Sequence, residues 1–332
     1  MNLLKYLVSR FATYLAVLFI GITILFILPR LMPSDPIEQY IGSLAQESSV
    51  ALTAEQVADI RKVLAEMYGL EGSMFEQYVG FLRRVFTFDF GPSLSAFPKP
   101  VSEFIAAALP WTAGLLATAT VFAWIIGNLI GLTAGYFHHS RWAAVIETVG
   151  VLIYPVPYYV FAIVLIILFA FLMPVFPLTF TVMPGPLSLE KVKDIAYNSA
   201  LPAAALVLAG LGYNILGMKS LSYSAKEEDY VTYARLKGVR DHEIMYRYVF
   251  RNAILPQVTS LALSLGTIFS GALITEMLFS YPGVGLLMRR AVGDGDYNLL
   301  YGTVSVTIVA VATATLVIDL IYPLFDPRIR HR

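Results

Sequence analysis

The sequence predicts an all-α polytopic membrane protein with six transmembrane helices. Three observations carry this prediction. Of the 332 residues, 58% are hydrophobic and 14% charged, with a mean hydropathy of +0.70, against about 45–50% apolar and about 25% charged in soluble domains. Six regions each offer about 20 mostly apolar residues, the length a helix needs to cross a hydrocarbon core of about 30 Å. Basic residues gather in alternate connections, as the positive-inside rule asks. The 23 basic and 23 acidic residues cancel, so no global field gathers nucleic acid. Cysteine is absent, which excludes disulfide scaffolds, thiolate zinc sites, iron–sulfur clusters and cysteine nucleophiles.

The first span, Phe11 to Leu28, follows Lys5 and Arg10 and stops at Pro29-Arg30 and the turn-rich Met32-Pro33-Ser34-Asp35-Pro36. Its apolar core is too long for a signal peptide and no small-x-small cleavage site follows, so residues 1–33 read as a retained N-terminal segment and first helix. Residues 34–108 form an outer segment with amphipathic helical stretches around Thr53 to Tyr68 and Phe75 to Val85. Thr53 with Gln56 three residues later reads as a capping box. The Phe90-Gly91-Pro92-Ser93 and Phe97-Pro98-Lys99-Pro100 clusters read as turns leading back to the membrane.

Residues 109–325 hold the remaining spans: Leu109 to Tyr136, Trp142 to Val175, Ala200 to Leu221, Leu255 to Phe279 and Leu299 to Phe325. Trp142 to Val175 would make about 51 Å of straight helix at about 1.5 Å per residue, longer than the hydrocarbon core. It carries Glu147 near its start and Pro155-Val156-Pro157 in its middle, and reads as one long span kinked at the prolines, its first turns in the interface. Two spans are the alternative. Charge decides between them: Lys219, Lys226, Arg235, Lys237, Arg240, Arg247 and Arg251 crowd the 217–255 loop, and Arg328, Arg330 and Arg332 the 326–332 tail. A seventh span would put one cluster outside, so six spans with both termini in the cytoplasm is the better count.

Chemistry within the spans is sparse. His138, His139, His242 and His331 show no metal-ligand spacing. Gly212 to Ser220 approaches a phosphate-binding loop, but Met218 intrudes before Lys219 and no strand precedes it. Glu147 and Asp319 fall near the inner face and Glu276 near the outer, none at the midplane where an ion-coupled carrier places a relay carboxylate. No nucleophile–base pair appears in the spans, which disfavours an intramembrane enzyme.

The inner loop is the most informative segment. Glu228, Asp229, Tyr230, Ala234, Arg235, Lys237 and Gly238 belong to a short helix with acids at its start, bases at its end and a glycine stop, in line with the helix dipole. Val239 to Ala253 can form a second, basic helix before Pro256. Such an elbow is either a solvated loop that enforces topology or a shape for docking into another protein. In the third span Tyr154, Pro155, Pro157, Tyr158 and Tyr159 surround a break whose freed carbonyls, around Val151 to Ile153, need water, protein or polar side chains. They read either as a stretch of the translocation path or as packing against neighbouring helices.

The ordered motifs Asp229-Tyr230-Val231, Ala234-Arg235, Lys237-Gly238 and Arg251-Asn252-Ala253-Ile254-Leu255-Pro256 resemble the cytoplasmic loop of ABC-transporter permeases of the dipeptide/oligopeptide branch. Met32 to Pro36, Phe88 to Ser93, Leu109 to Thr112, Glu276 to Gly285, Asp296-Tyr297, Asp319 to Tyr322 and Asp326 to Arg330 extend the resemblance over nearly the whole chain. Thr232-Tyr233 stands where the family often has Arg-Thr, and Gly295 where it has a basic residue. The resemblance implies the type I ABC importer permease fold in a bacterial cytoplasmic membrane. It implies a second related permease, two ATPase subunits that carry ATP and Mg, and an extracytoplasmic solute-binding protein as partners, with no cofactor on this chain. Residues 228–238 would then be the ATPase-coupling helix. The cargo it implies is a peptide or another small solute such as an oligosaccharide, a nickel chelate or an opine.

Overall fold

The computed structural model describes residues 3–31, 37–38, 41–42, 53–182, 186, 188–266 and 273–325. The Met32 to Pro36 turn and the basic tail, with Arg328, Arg330 and Arg332, lie outside the described residues. Among those described, the regular structure is helical and no strand forms; Pro92 and Pro100 make one isolated antiparallel bridge.

The chain opens with α1 (Leu3–Ile27), which tightens into a 3-10 turn over Leu28–Leu31. The two amphipathic stretches form α2 (Ala54–Tyr68) and α3 (Met74–Thr87), each opened by a complete capping box, Thr53 with Gln56 and Ser73 with Glu76. The Ser73 N–H and hydroxyl both donate to the Glu76 carboxylate and hold its pKa below the usual carboxylate range. Next come α4 (Val101–Tyr136), α5 (Arg141–Ile153) and α6 (Tyr158–Leu165), the last continuing as a π-helical segment Ile166–Leu172. The long α7 (Leu189–Lys226) leads into the short α8 (Asp229–Leu236). A turn at Asp241–Glu243 and a π-helical segment Ile244–Phe250 run into α9 (Arg251–Gly266), and α10 (Leu273–Leu278), α11 (Val284–Gly293) and α12 (Tyr297–Phe325) complete the order.

Among the described residues, four helices are long and apolar enough to cross a membrane: α1 with its 3-10 turn, α4, α7 and α12. The region expected as the third span is a fifth candidate if counted as one, but its halves, Arg141–Ile153 and Tyr158–Leu172, meet at 101°. That is far sharper than a kink. Val156 precedes Pro157 and is pushed out of helical geometry, and Pro157 itself is extended at φ −62 and ψ 143. The expected fifth span appears as α9 and α10, with residues 267–272 between them outside those described.

The chain divides into two compact units, Met1–Thr112 with Pro282–Leu316, and Ala113–Tyr281 with Val317–Arg332. In the first, Leu18, Ile22 and Phe26 of α1 pack with Phe81 and Val85 of α3, Val101 and Ile105 of α4, and Leu299 and Val306 of α12. Asp296, fully buried, opens α12 and accepts from Ser93 Oγ at 2.6 Å and from the Ser95 N–H and hydroxyl at 3.1 Å each. In the second unit α4 and α7 approach until their backbones nearly touch. A Cβ at Gly127 would lie 2.5 Å from Asn214 Cβ, at Gly131 2.5 Å from the Ile215 carbonyl oxygen, and at Gly135 2.4 Å from that of Lys219. Lipid gives helices no hydrophobic reason to associate, so small residues at four-residue spacing let van der Waals contact do it.

Candidate functional site

Both groups of residues singled out from the sequence, the 228–238 segment and the tyrosine–proline break, lie in the second unit. Glu228 is extended at φ −72 and ψ 147, and its side chain makes no capping bond; Asp229 then starts α8. The helix ends as the glycine predicts. Gly238 sits at φ 77, its N–H donates to Arg235 O at 2.9 Å, and the Val239 N–H donates to Ala234 O at 3.2 Å. These two bonds form a Schellman motif, which needs the left-handed region at this residue. Nothing lies within 4 Å of a Cβ built on Gly238, so the requirement is conformational and not one of space.

One face of α8 is sunk into the protein. Val231 and Ala234 join a buried cluster with Leu132 and Tyr136 of α4, Met218 and Ala225 of α7, and Ile244 and Val249 beyond the elbow. Polar contacts pin the same joint. The Tyr136 hydroxyl donates to Asp241 Oδ1 at 2.8 Å, and the Arg235 side chain of α8 lies near the same phenol. Lys226 Nζ donates to Tyr136 O at 2.6 Å, satisfying a carbonyl at the end of α4 that has no donor within its own helix, and Ser222 Oγ donates to Leu132 O at 3.0 Å. Asn252 Nδ2 donates to the Tyr230 hydroxyl at 3.0 Å. The other face of α8 is open: Tyr233 is 68% and Leu236 80% exposed, with Arg235 and Lys237 beside them.

Sequence reasoning missed Tyr136, Lys226 and Asp241, which fix this joint. Their signal was weak: Tyr136 closes a long apolar run, and Lys226 reads as one charge of the basic loop. Close by, the His138 and His139 rings lie 3.8 Å apart, and the His138 ring is 4.5 Å from that of Tyr223. Burial, then His139 and Lys226, lower the His138 pKa below the usual histidine range. Among the described residues no group of histidines and carboxylates is placed to hold a metal ion. Glu147 pairs with Lys219 at 2.5 Å.

At the break, the Val156 N–H donates to Ile153 O at 3.1 Å, so the Ile153 carbonyl, expected to be left open, is satisfied by a turn. Pro155 still removes the helical donor to Val151 O. The tyrosines divide. Tyr154 is 56% exposed and stacks on Tyr213 of α7 with ring centroids 6.4 Å apart, whereas Tyr158 and Tyr159 meet edge to face at 6.0 Å. Pro155 and Pro157 are exposed. Tyr213 in turn receives the Ser260 hydroxyl of α9 at 3.4 Å. The break can sit against α7 because Gly212 leaves it room: a Cβ there would lie 2.9 Å from Gly150 O and from the Tyr154 backbone.

Residues 127–331 match the family described as binding-protein-dependent transport system inner membrane component. The chain belongs to this family. Relatives align end to end. A dipeptide transport system permease protein of Bacillus subtilis (strain 168) is 27% identical over 98% of both chains. An oligopeptide transport system permease protein of Haemophilus influenzae is 29% identical over 99% of this chain and all of the relative. A di/tripeptide transport system permease protein of Pseudomonas aeruginosa is 28% identical over 95% of each. This member of the family is therefore an all-α, multi-pass membrane protein and a permease subunit of a binding-protein-dependent transport system. The matched segment contains both the α8 joint and the proline break.

Proposed function

We propose that this chain is one of two permease subunits of an ATP-driven importer for peptides, with six spans in the type I importer arrangement and both termini in the cytoplasm. Two ATPase subunits that bind ATP and Mg dock on α8 and its flanks, and an extracytoplasmic solute-binding protein delivers cargo on the opposite side. The permease makes and breaks no covalent bond. The observation that carries this reading is the two-faced α8. Its inner face is locked by Val231, Ala234 and the Tyr136 contacts to the ends of α4 and α7, and its outer face presents Tyr233, Leu236 and basic residues. A helix fixed to the spans and open to a partner is a lever: movement of the partner displaces the spans as largely rigid bodies. The names of the end-to-end relatives support peptides as cargo.

Tyr154, Tyr158, Tyr159 and the proline break line part of the path in this reading. The lost helical bonds suit a wet cavity, and the exposed Tyr154–Tyr213 pair offers aromatic faces and hydroxyls to a peptide. The test is uptake of a labelled tripeptide into proteoliposomes holding the assembled complex, with the binding protein outside and ATP enclosed. Uptake should require enclosed ATP and the ATPase subunits. Uptake driven by an ion gradient without ATP would reject the reading in favour of an ion-coupled carrier.

A further inference from the structure

We infer that α3, in the segment the sequence reads as outside the membrane, is an interfacial helix whose exposed face lies in lipid beside the first span. Between Arg10 and Arg30 the chain has 19 residues without charge, about 28 Å of helix at about 1.5 Å per residue, which fills the hydrocarbon thickness. Arg30 therefore marks the boundary, and Thr23 lies about 10 Å inside it. The Tyr78 hydroxyl of α3 bonds Thr23 Oγ1 at 2.7 Å, and Phe26 of α1 packs against Tyr78 and Phe81 with ring centroids 5.1 and 5.7 Å apart. Gln77, one residue earlier, accepts from Arg30 Nη2 at 3.1 Å. So α3 sits with its polar side at the arginine level and its aromatic side below it.

The face of α3 next to this packed one is apolar and open. Phe75, Val79 and Phe86, spaced by four and seven residues and so on one side of the helix, are 74%, 48% and 72% exposed. On α1, against which this helix packs, Phe19, Ile20, Ile24 and Leu28 are likewise exposed and, in a spanning helix, face lipid. By contrast, α2 turns Glu55, Arg61, Lys62 and Glu66 outward and belongs in water. A helix of this kind rests about 5–10 Å into the boundary between headgroups and acyl chains. The occupant is phospholipid, and α3 is a float that fixes the height of the outer segment on the membrane.

The absence of native cysteine allows a direct test on the full chain reconstituted in bilayers of phosphatidylethanolamine and phosphatidylglycerol. Nitroxide labels are placed singly through Phe75→Cys, Val79→Cys and Phe86→Cys, with Ile20→Cys as the lipid control and Lys62→Cys as the water control. At the three α3 sites, collisions with oxygen should exceed those with a water-soluble nickel chelate, as at Ile20, and the ratio should reverse at Lys62. Three results would overturn the inference. Nickel accessibility at the α3 sites equal to that at Lys62 would place the face in water, and low accessibility to both agents would mean that protein covers it. A nickel-accessible Ile20 would remove the first span and the inference with it.

Discussion

The Asp296 carboxylate has no exposed surface and gathers four donors: the Ser93 and Ser95 hydroxyls and the backbone N–H groups of Ser95 and Leu299. It caps α12 and ties the 93–95 turn to it. Asp296→Ala would take this acceptor from the buried Ser93 hydroxyl and Leu299 N–H, at about 1–3 kcal/mol for a buried unsatisfied donor, while the exposed Ser95 can turn to water. Its thermal midpoint in detergent should therefore fall well below that of Asp59→Ala, which removes an exposed carboxylate of α2. Equal midpoints would show that the cap carries no stability. At the α8 joint the prediction concerns coupling. Tyr136→Phe removes only the hydroxyl that donates to Asp241, a net loss of about 1 kcal/mol. Transport should fall while the amount of inserted protein stays constant. Asp241→Asn should do the same, and the double variant should fall little further than either single one, because they share one interaction. Additive losses in a transport cycle would separate the two residues.

At the scale of elements, the α4–α7 contact rests on Gly127, Gly131 and Gly135. Gly131→Ala puts a methyl 2.5 Å from Ile215 O and 3.1 Å from Lys219 N, backbone atoms that cannot turn aside. Such overpacking costs about 1–3 kcal/mol. Gly114→Ala, on the same helix with nothing within 4 Å, should raise the thermal midpoint, since alanine favours a helix over glycine by about 1 kcal/mol. If both replacements shifted stability alike, close packing would not be the reason for the glycines. Much at this scale was legible in the sequence. The capping box at Thr53, the glycine stop at Gly238 and the break at Pro155 and Pro157 are local rules, and the structure obeys them. The 101° turn at the break was not legible, because prolines forbid a straight helix without setting the new direction. That direction comes with the fit of the Tyr154 backbone against Gly212, a tertiary contact. The glycine row was in plain view at four-residue spacing, yet glycines in an apolar run read equally as loose helix until the facing helix is known.

For the whole molecule, hydropathy and charge fixed the class, and the ordered loop motifs pointed to the family that residues 127–331 match. The α8 segment was legible as an elbow, but its anchorage through Tyr136, Lys226 and Asp241 joins residues about a hundred positions apart and leaves no local pattern. In the proposed function this elbow transmits ATPase movement to the spans. Gly238 tests it with least disturbance elsewhere, because its surroundings are empty and only its φ of 77 forbids a branched side chain. The decisive measurement is ATP hydrolysis stimulated by the loaded binding protein in the reconstituted complex, comparing wild type, Gly238→Asn and Gly238→Val at equal amounts of assembled protein. Asparagine tolerates the left-handed region, so Gly238→Asn should keep most of the stimulation. Gly238→Val should lose it together with transport. Full stimulation and transport in Gly238→Val would contradict the coupling role of α8.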